Sequence, residues 1–189
     1  MQKQIKILLT ILMALALAVS CAKNNPNNPN NDSNNNNNNN NNNQTEKPAW
    51  KQNANYSILI QDWYNEEQPQ YNEVYQIREN GNDKVDFLVP EPSGELSYSI
   101  VVTEIVWNSD NTSGIMYGTY NVAPSWSPDY LNKWYAISFK GLSANSLSLS
   151  QAMLSDGTAA VDTLEEAKSK FTVENNAFAQ YSNLVPQTK

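Results

Sequence analysis

From residue 56 to residue 153 the chain repeats one pattern: short runs in which apolar and polar side chains alternate, or β-branched and aromatic residues crowd together, separated by clusters of Asn, Asp, Gly and Pro. A period of two is the signature of strands that lay one face on a core. It predicts strands at 56–63, 73–79, 84–89, 96–108, 115–122, 133–141 and 146–153, with a shorter one near 171–181. In the sixth, Tyr135, Ile137 and Phe139 share one face, while Trp134, Ala136, Ser138 and Lys140 hold the other. In the seventh, Leu147 and Leu149 alternate with Ser146, Ser148 and Ser150. One buried and one wet face is the antiparallel arrangement. The turn formers of residues 108–114 join the fourth and fifth strands as a hairpin, and Asn80-Gly81-Asn82-Asp83 forms a second. The fold class expected is mainly β, a single antiparallel barrel or sandwich of about eight strands.

One helix interrupts the pattern near the C-terminus. Asp162 or Thr163 can cap it, Glu166 completes a capping box with Thr163, and Leu164, Ala167 and Phe171 fall on one side. It is expected to cover an open end or an edge of the sheet. Asp162-Thr163-Leu164 also resembles the Asp-Ser/Thr-aliphatic sequence that some bacteria glycosylate in exported proteins, but capping explains the same residues.

Upstream, the pattern changes twice. Lys3 and Lys6 precede a run from Ile7 to Val19 that is apolar except for Thr10, and small residues follow at Ser20 and Ala22. This is the anatomy of a signal peptide. Thirteen helical residues reach roughly 20 Å, short of the ~30 Å hydrocarbon core. Residues 22–47 are then dominated by asparagine, with an unbroken run from Asn34 to Asn43. Nothing apolar there offsets the entropy of ordering, so a tether with a root-mean-square reach of roughly 25–30 Å is expected. The competing view treats the asparagines as an interaction or aggregation element, since asparagine ladders can form. Three parts result: a leader at 1–20, a tether at 21–47 and a β-rich domain at 48–189.

Leu17-Ala18-Val19-Ser20-Cys21 resembles the lipobox of bacterial lipoproteins, which implies that the Cys21 thiol carries diacylglycerol and that cleavage occurs ahead of it. Each buried methylene contributes about 0.8 kcal/mol, so several acyl chains would anchor the protein stably in the lipid bilayer. An ordinary secretory signal with an incidental cysteine is the alternative. The resemblance implies the cell envelope, and Ala22, which is not the aspartate of inner-membrane retention in some systems, favours the outer membrane. A second resemblance lies in Lys-Trp-Tyr-Ala-Ile-Ser-Phe-Lys-Gly-Leu at 133–142, followed by the Ser/Leu strand and the acidic helix from Thr163. This order is similar to small lipocalin-like bacterial lipoproteins, in which a meander of strands closes into a barrel. Asp62-Trp63 supplies the tryptophan that lipocalins place near their first strand.

Charge and absent residues narrow the chemistry. The chain carries a formal −7, and beyond the leader ten basic residues face nineteen acidic ones, giving −9. A domain this acidic, with Arg78 its only arginine, repels phosphate backbones, so nucleic acid is excluded as a partner. No histidine is present and Cys21 is the only cysteine. Histidine-dependent nucleophilic catalysis, histidine-ligated metals and internal disulfides are therefore excluded. Carboxylate pairs at Glu66-Glu67, Glu165-Glu166 and Asp83-Asp86 are sequence neighbours on loops or a helix face, not groups facing each other across a cleft, as carboxylate-only glycan hydrolysis requires. The 108–114 loop offers a metal one carboxylate, Asp110. No catalytic residue, metal or cofactor is expected.

The nineteen aromatic residues, all between Trp50 and Tyr181, carry the remaining chemistry. Tyr98, Tyr135, Phe139 and Phe87 sit at alternating apolar positions and are expected in the core. Trp107 beside a turn, and Trp126 and Tyr130 in the 124–129 loop region, are the candidates for a binding rim, with loop anchoring as the plainer role. The expected function is a membrane-tethered binding or surface-interaction module. A barrel with a cavity of several hundred Å³ would favour a hydrophobic small molecule, and a sandwich with an exposed aromatic strip would favour a glycan. A structural or antigenic surface protein without a ligand is the alternative.

Overall fold

The computed structural model describes residues 47–187 apart from Asn82. The leader, the lipobox with Cys21 and nearly all of the asparagine tether lie outside the described residues. Eight strands run in chain order around a closed antiparallel barrel: β1 (Asp62–Tyr64), β2 (Val74–Asn80), β3 (Lys84–Pro90), β4 (Leu96–Trp107), β5 (Gly114–Val122), β6 (Trp134–Lys140), β7 (Leu147–Gln151) and β8 (Ser182–Pro186). β8 returns to pair with β1, Tyr64 opposite Val185, so the sheet has no free edge. The expected barrel is therefore the observed one, and the sandwich is not.

Register sends one residue in two inward. Ile77, Phe87, Ile100, Met116, Ile137 and Phe139 are essentially inaccessible to solvent, and Trp63, in the short first strand, is fully buried with its indole N–H donating to the Leu59 carbonyl at 3.2 Å. Two bulges interrupt the β4–β5 ladder, at Ser99/Ile100 and at Val102/Glu104. The second resets the alternation, so that Ile100 and Val102 are followed by Ile105 as buried positions. At this bend Gly118 is pressed so close to β4 that an added Cβ would stand 2.3 Å from the Val101 carbonyl oxygen.

Two expected strands are corrected. Residues 56–63 do not form one strand: Tyr56–Leu59 is a helical turn, α1, and only Asp62 onward is extended. The apolar run Ile58-Leu59-Ile60 reads as a strand, but it belongs to a plug at one barrel end. Asn53 turns the chain, accepting the Asn55 backbone N–H at 2.9 Å, and the amides of Asn53 and Asn55 tie the plug to Asn111 of the β4–β5 hairpin. Lys51 completes it, donating to Glu79 at 2.5 Å and to the carbonyls of Gly81 and Lys84 in the β2–β3 turn. The last strand, expected near 171–181, is Ser182–Pro186 instead, because Phe171, Ala177 and Phe178 are buried in irregular chain before it.

The predicted helix is present as α2 (Leu164–Lys170). Thr163 caps it, accepting the Glu166 backbone N–H at 3.1 Å, and Glu166 also pairs with Lys170. It does not close an end. It packs on β5 and β6, where the Tyr117 hydroxyl donates to the Phe171 carbonyl at 3.1 Å and Ala136 and Ala167 are fully buried. A closed barrel leaves no edge to cover, so the apolar stripe of α2 is buried against the wall made by β5 and β6. Among the described residues no helix is long and apolar enough to cross a membrane.

Candidate functional site

The two ends of the barrel differ. The β2–β3, β4–β5 and β6–β7 hairpins lie at the end that residues 49–59 plug, whereas the long connections 65–73, 123–133 and 152–181 surround the other. Tight hairpins leave little to build with, and long connections can wall a site. At this second end the interior opens into a cavity of about 610 Å³.

Its aromatic lining comes from four strands at one level: Tyr75 of β2, Tyr98 of β4, Tyr120 of β5 and Tyr135 of β6. Tyr120 and Tyr135 lie 4.9 Å apart between ring centroids, and Tyr98 meets both edge-on at 6.0 and 6.5 Å. Phe87 stacks on Tyr98 at 6.5 Å and marks where the apolar floor begins. Tyr130 reaches in from the 123–133 connection to 5.6 Å from Tyr120, while Trp126 stands on the rim with 70% of its surface exposed.

The polar groups form a chain across the opening. Glu73 accepts from the Tyr75 hydroxyl at 2.5 Å, the Asn65 amide at 2.6 Å and the Ser182 hydroxyl at 2.7 Å. Gln151 donates to the Tyr75 oxygen at 3.2 Å and accepts from the Tyr135 hydroxyl at 3.4 Å. The Tyr98 hydroxyl is buried and has no hydrogen-bond partner. Burial pushes the phenols of Tyr98 and Tyr135 well above their ordinary value, and Tyr75 rises for the same reason, reinforced by its bond to Glu73. These hydroxyls therefore stay protonated far into the alkaline range.

Of the residues singled out in the sequence, Trp126 and Tyr130 meet at this mouth. Tyr98 and Tyr135 are buried as expected and also line the cavity. Trp107 lies at the plugged end, packed edge-on against Phe139 at 4.9 Å, with its indole N–H donating to the Trp50 carbonyl at 2.9 Å. An open groove runs beside it between residues 49–53 and 103–107. Glu73, Gln151 and Ser182 escaped sequence reasoning; the available signal was a carboxylate at Glu73, just ahead of the inward-facing Tyr75. Asp110 is turned into its own hairpin, where the Thr112 backbone N–H and the Ser113 hydroxyl hold its carboxyl below the ordinary range. Among the described residues no group of three or more Asp, Glu, His or Cys is placed to hold a metal. The carboxylate pairs do not line the cavity: Glu66, Glu67, Asp83 and Glu165 are exposed, Asp86 accepts from Asn80, and Glu166 serves α2.

Fold and site together define a closed eight-stranded meander barrel with a plugged base and a tyrosine-lined mouth. Compared with family models, curated proteins and solved structures, the chain matches none.

Proposed function

We propose that the protein is an envelope lipoprotein in which acylated Cys21 anchors a lipocalin-like barrel, at the end of an asparagine tether, that binds an apolar small molecule without transforming it. The observation that carries this reading is the mouth cavity of about 610 Å³ above a filled floor. Small-molecule sites fall in the range of about 300–1,000 Å³, are concave and largely apolar, and carry a few fixed polar groups; the mouths of barrels are common places for them. Here tyrosine rings with Leu149, Ala152 and Ala177 supply the apolar wall, and the Glu73–Tyr75–Gln151 chain supplies fixed polar points. The tether would let the mouth face away from the bilayer, which suits capture of a solute near the membrane.

Native mass spectrometry of the purified chain tests the binding half. A retained molecule of constant mass across independent preparations, lost when Tyr98 and Tyr135 are both replaced by alanine in a variant that still folds, is the expected result. Repeated preparations empty of any ligand, with no binder found in a panel of apolar small molecules, would leave the alternative of a structural surface protein. Metabolic labelling with a fatty-acid probe tests the anchor. Label is expected in the natural protein and not in Cys21→Ser, and equal label in both would overturn the lipoprotein assignment.

A further inference from the structure

We infer that the molecule taken by the barrel mouth is an organic cation, an apolar body bearing a protonated amine that sits between the tyrosine rings and Glu73. This rests on the cavity being a ligand site and adds the charge of its occupant. No lysine or arginine is among the residues that line the cavity, and the sequence has no histidine. Glu73 is the one charged group of the lining. Elsewhere among the described residues five cations pair with other carboxylates, Lys51 with Glu79, Arg78 with Asp62, Lys133 with Asp162, Lys168 with Glu104 and Lys170 with Glu166, and Lys140 lies over the Tyr181 ring. Glu73 has three neutral donors and no cation.

Those three bonds fix the carboxylate at the rim of a space whose opposite walls are π faces. A carboxylate held in a partly desolvated mouth is costly without a counter-charge, and a cation entering the cavity offsets that cost. Tyrosine faces attract cations by their quadrupoles, most strongly where water is excluded. The Tyr98 hydroxyl is buried, unpartnered and closed to solvent in the free protein, and a ring that turns toward the ligand would bring its two free lone pairs to an ammonium N–H. An anion meets the reverse of each term, so fatty acids and other carboxylates are the ligands this mouth rejects. The excess of acidic residues over the whole chain adds long-range steering of the same sign.

A matched series decides the matter. 4-Phenylbutylamine, 4-phenylbutanol and 4-phenylbutyrate share one body and differ in the head group, and binding of each to the purified full chain can be followed by tryptophan fluorescence with Trp126 on the rim. The amine is expected to bind at least about tenfold more tightly than the alcohol at neutral pH, with the carboxylate weakest. Glu73→Gln, which keeps an oxygen for Tyr75 and Ser182, is expected to bring the amine to within about threefold of the alcohol. Tyr98→Phe is expected to weaken the amine more than the alcohol. Should the alcohol equal the amine in the natural protein, or the carboxylate lead, the cation is wrong while the ligand cavity stands. Should none of the three bind and native mass spectrometry retain nothing, both fall together. The natural protein alone gives that answer, whatever Glu73→Gln does to folding.

Discussion

Replacing Tyr98 by phenylalanine isolates one oxygen atom and asks what it does for the fold. The hydroxyl is buried without a partner, so its desolvation is uncompensated, whereas the ring stacks on Phe87 and meets Tyr120 and Tyr135 edge-on. An unsatisfied buried hydroxyl costs about 1–3 kcal/mol, so Tyr98→Phe is expected to stabilise the unliganded domain by about 1 kcal/mol at neutral pH. The gain should grow in alkali. Burial raises the Tyr98 phenol well above its ordinary value of 10.0. The folded state therefore holds its proton after the unfolded chain has released it, and the stability this represents is complete below about pH 10 and declines above it. The slope is about 1.4 kcal/mol per pH unit for each such tyrosine. Tyr135, equally buried, declines alongside it, so the two together draw at about twice that slope on a typical domain's stability of about 5–15 kcal/mol. Urea unfolding followed by circular dichroism from pH 7 to 12, with tyrosinate absorbance recorded in parallel, measures both effects. In the natural protein the buried phenols should ionise only together with the loss of structure. In the Tyr98→Phe variant the alkaline slope should lessen by about 1.4 kcal/mol per unit. Destabilisation of Tyr98→Phe at pH 7, or an alkaline slope equal in the variant and the natural protein, would refute the buried and unpaired hydroxyl.

Substitutions elsewhere probe the scaffold. Gly118→Ala puts a methyl 2.3 Å from the Val101 carbonyl oxygen and 2.7 Å from the Val102 Cα, both backbone, so a loss of at least about 3 kcal/mol is expected by denaturant titration. Gly141→Ala, whose Cβ meets nothing within 4 Å at a φ of +65°, should lose only about 1 kcal/mol. Trp63→Ala empties the centre of the floor and leaves the Leu59 carbonyl only the Gln61 backbone N–H as donor, and a loss of about 3–5 kcal/mol is expected from thermal or urea unfolding. Thr163→Ala removes the α2 cap and should lose about 1 kcal/mol, whereas Thr163→Ser should retain most of the stability.

Alternation in the sequence is enough to locate β2 to β7 to within two residues at each end, because each presents a long apolar face to the interior and is bounded by turn chemistry such as Asn108–Gly114. β1 and β8 escape it for a shared reason. What makes them strands is mutual pairing across the closure, Trp63 opposite Pro186 and Tyr64 opposite Val185, more than any pattern of their own. The stronger apolar signals nearby, Ile58-Leu59-Ile60 and Phe171 with Phe178, belong to the plug and to the irregular chain ahead of β8. The helix cap was legible residue by residue, since Thr163 and Glu166 meet within four positions. Trp126 and Tyr130 were legible as rim candidates because a loop cannot bury both. Tyr98 and Tyr135 were legible only as inward, and the mouth could not be read from them. A period of two tells which face a side chain takes and carries no information about height along the barrel axis, so a tyrosine in the floor and one in the mouth look identical.

Height is what separates scaffold from site in this molecule. Along β4, Tyr98 lies in the mouth, Ile100 and Val102 follow, and Ile105 comes after the bulge; along β6, Tyr135 gives way to Ile137 and Phe139. In both strands the inward series changes from phenol to hydrocarbon within one or two inward positions, and Tyr75 to Ile77 in β2 repeats the change. A core selected only for packing has no use for hydroxyls there, since Phe would fill the same volume without a polar atom to satisfy. The hydroxyls of Tyr75 and Tyr135 are held by Glu73 and Gln151, so they organise the mouth. Tyr98 is the exception among the three, since nothing holds its oxygen, which is closed to solvent in the free protein as are the unpartnered hydroxyls of Tyr56, Ser99 and Ser150. If the ring turns that oxygen to a bound amine, binding compensates what folding loses, and Tyr98→Phe should raise the melting temperature of the free protein while narrowing the shift that 4-phenylbutylamine produces. Opposite signs for stability and ligand response in a single substitution would distinguish a retained binding group from an imperfection of packing, and a substitution that raised both would place the oxygen outside the site.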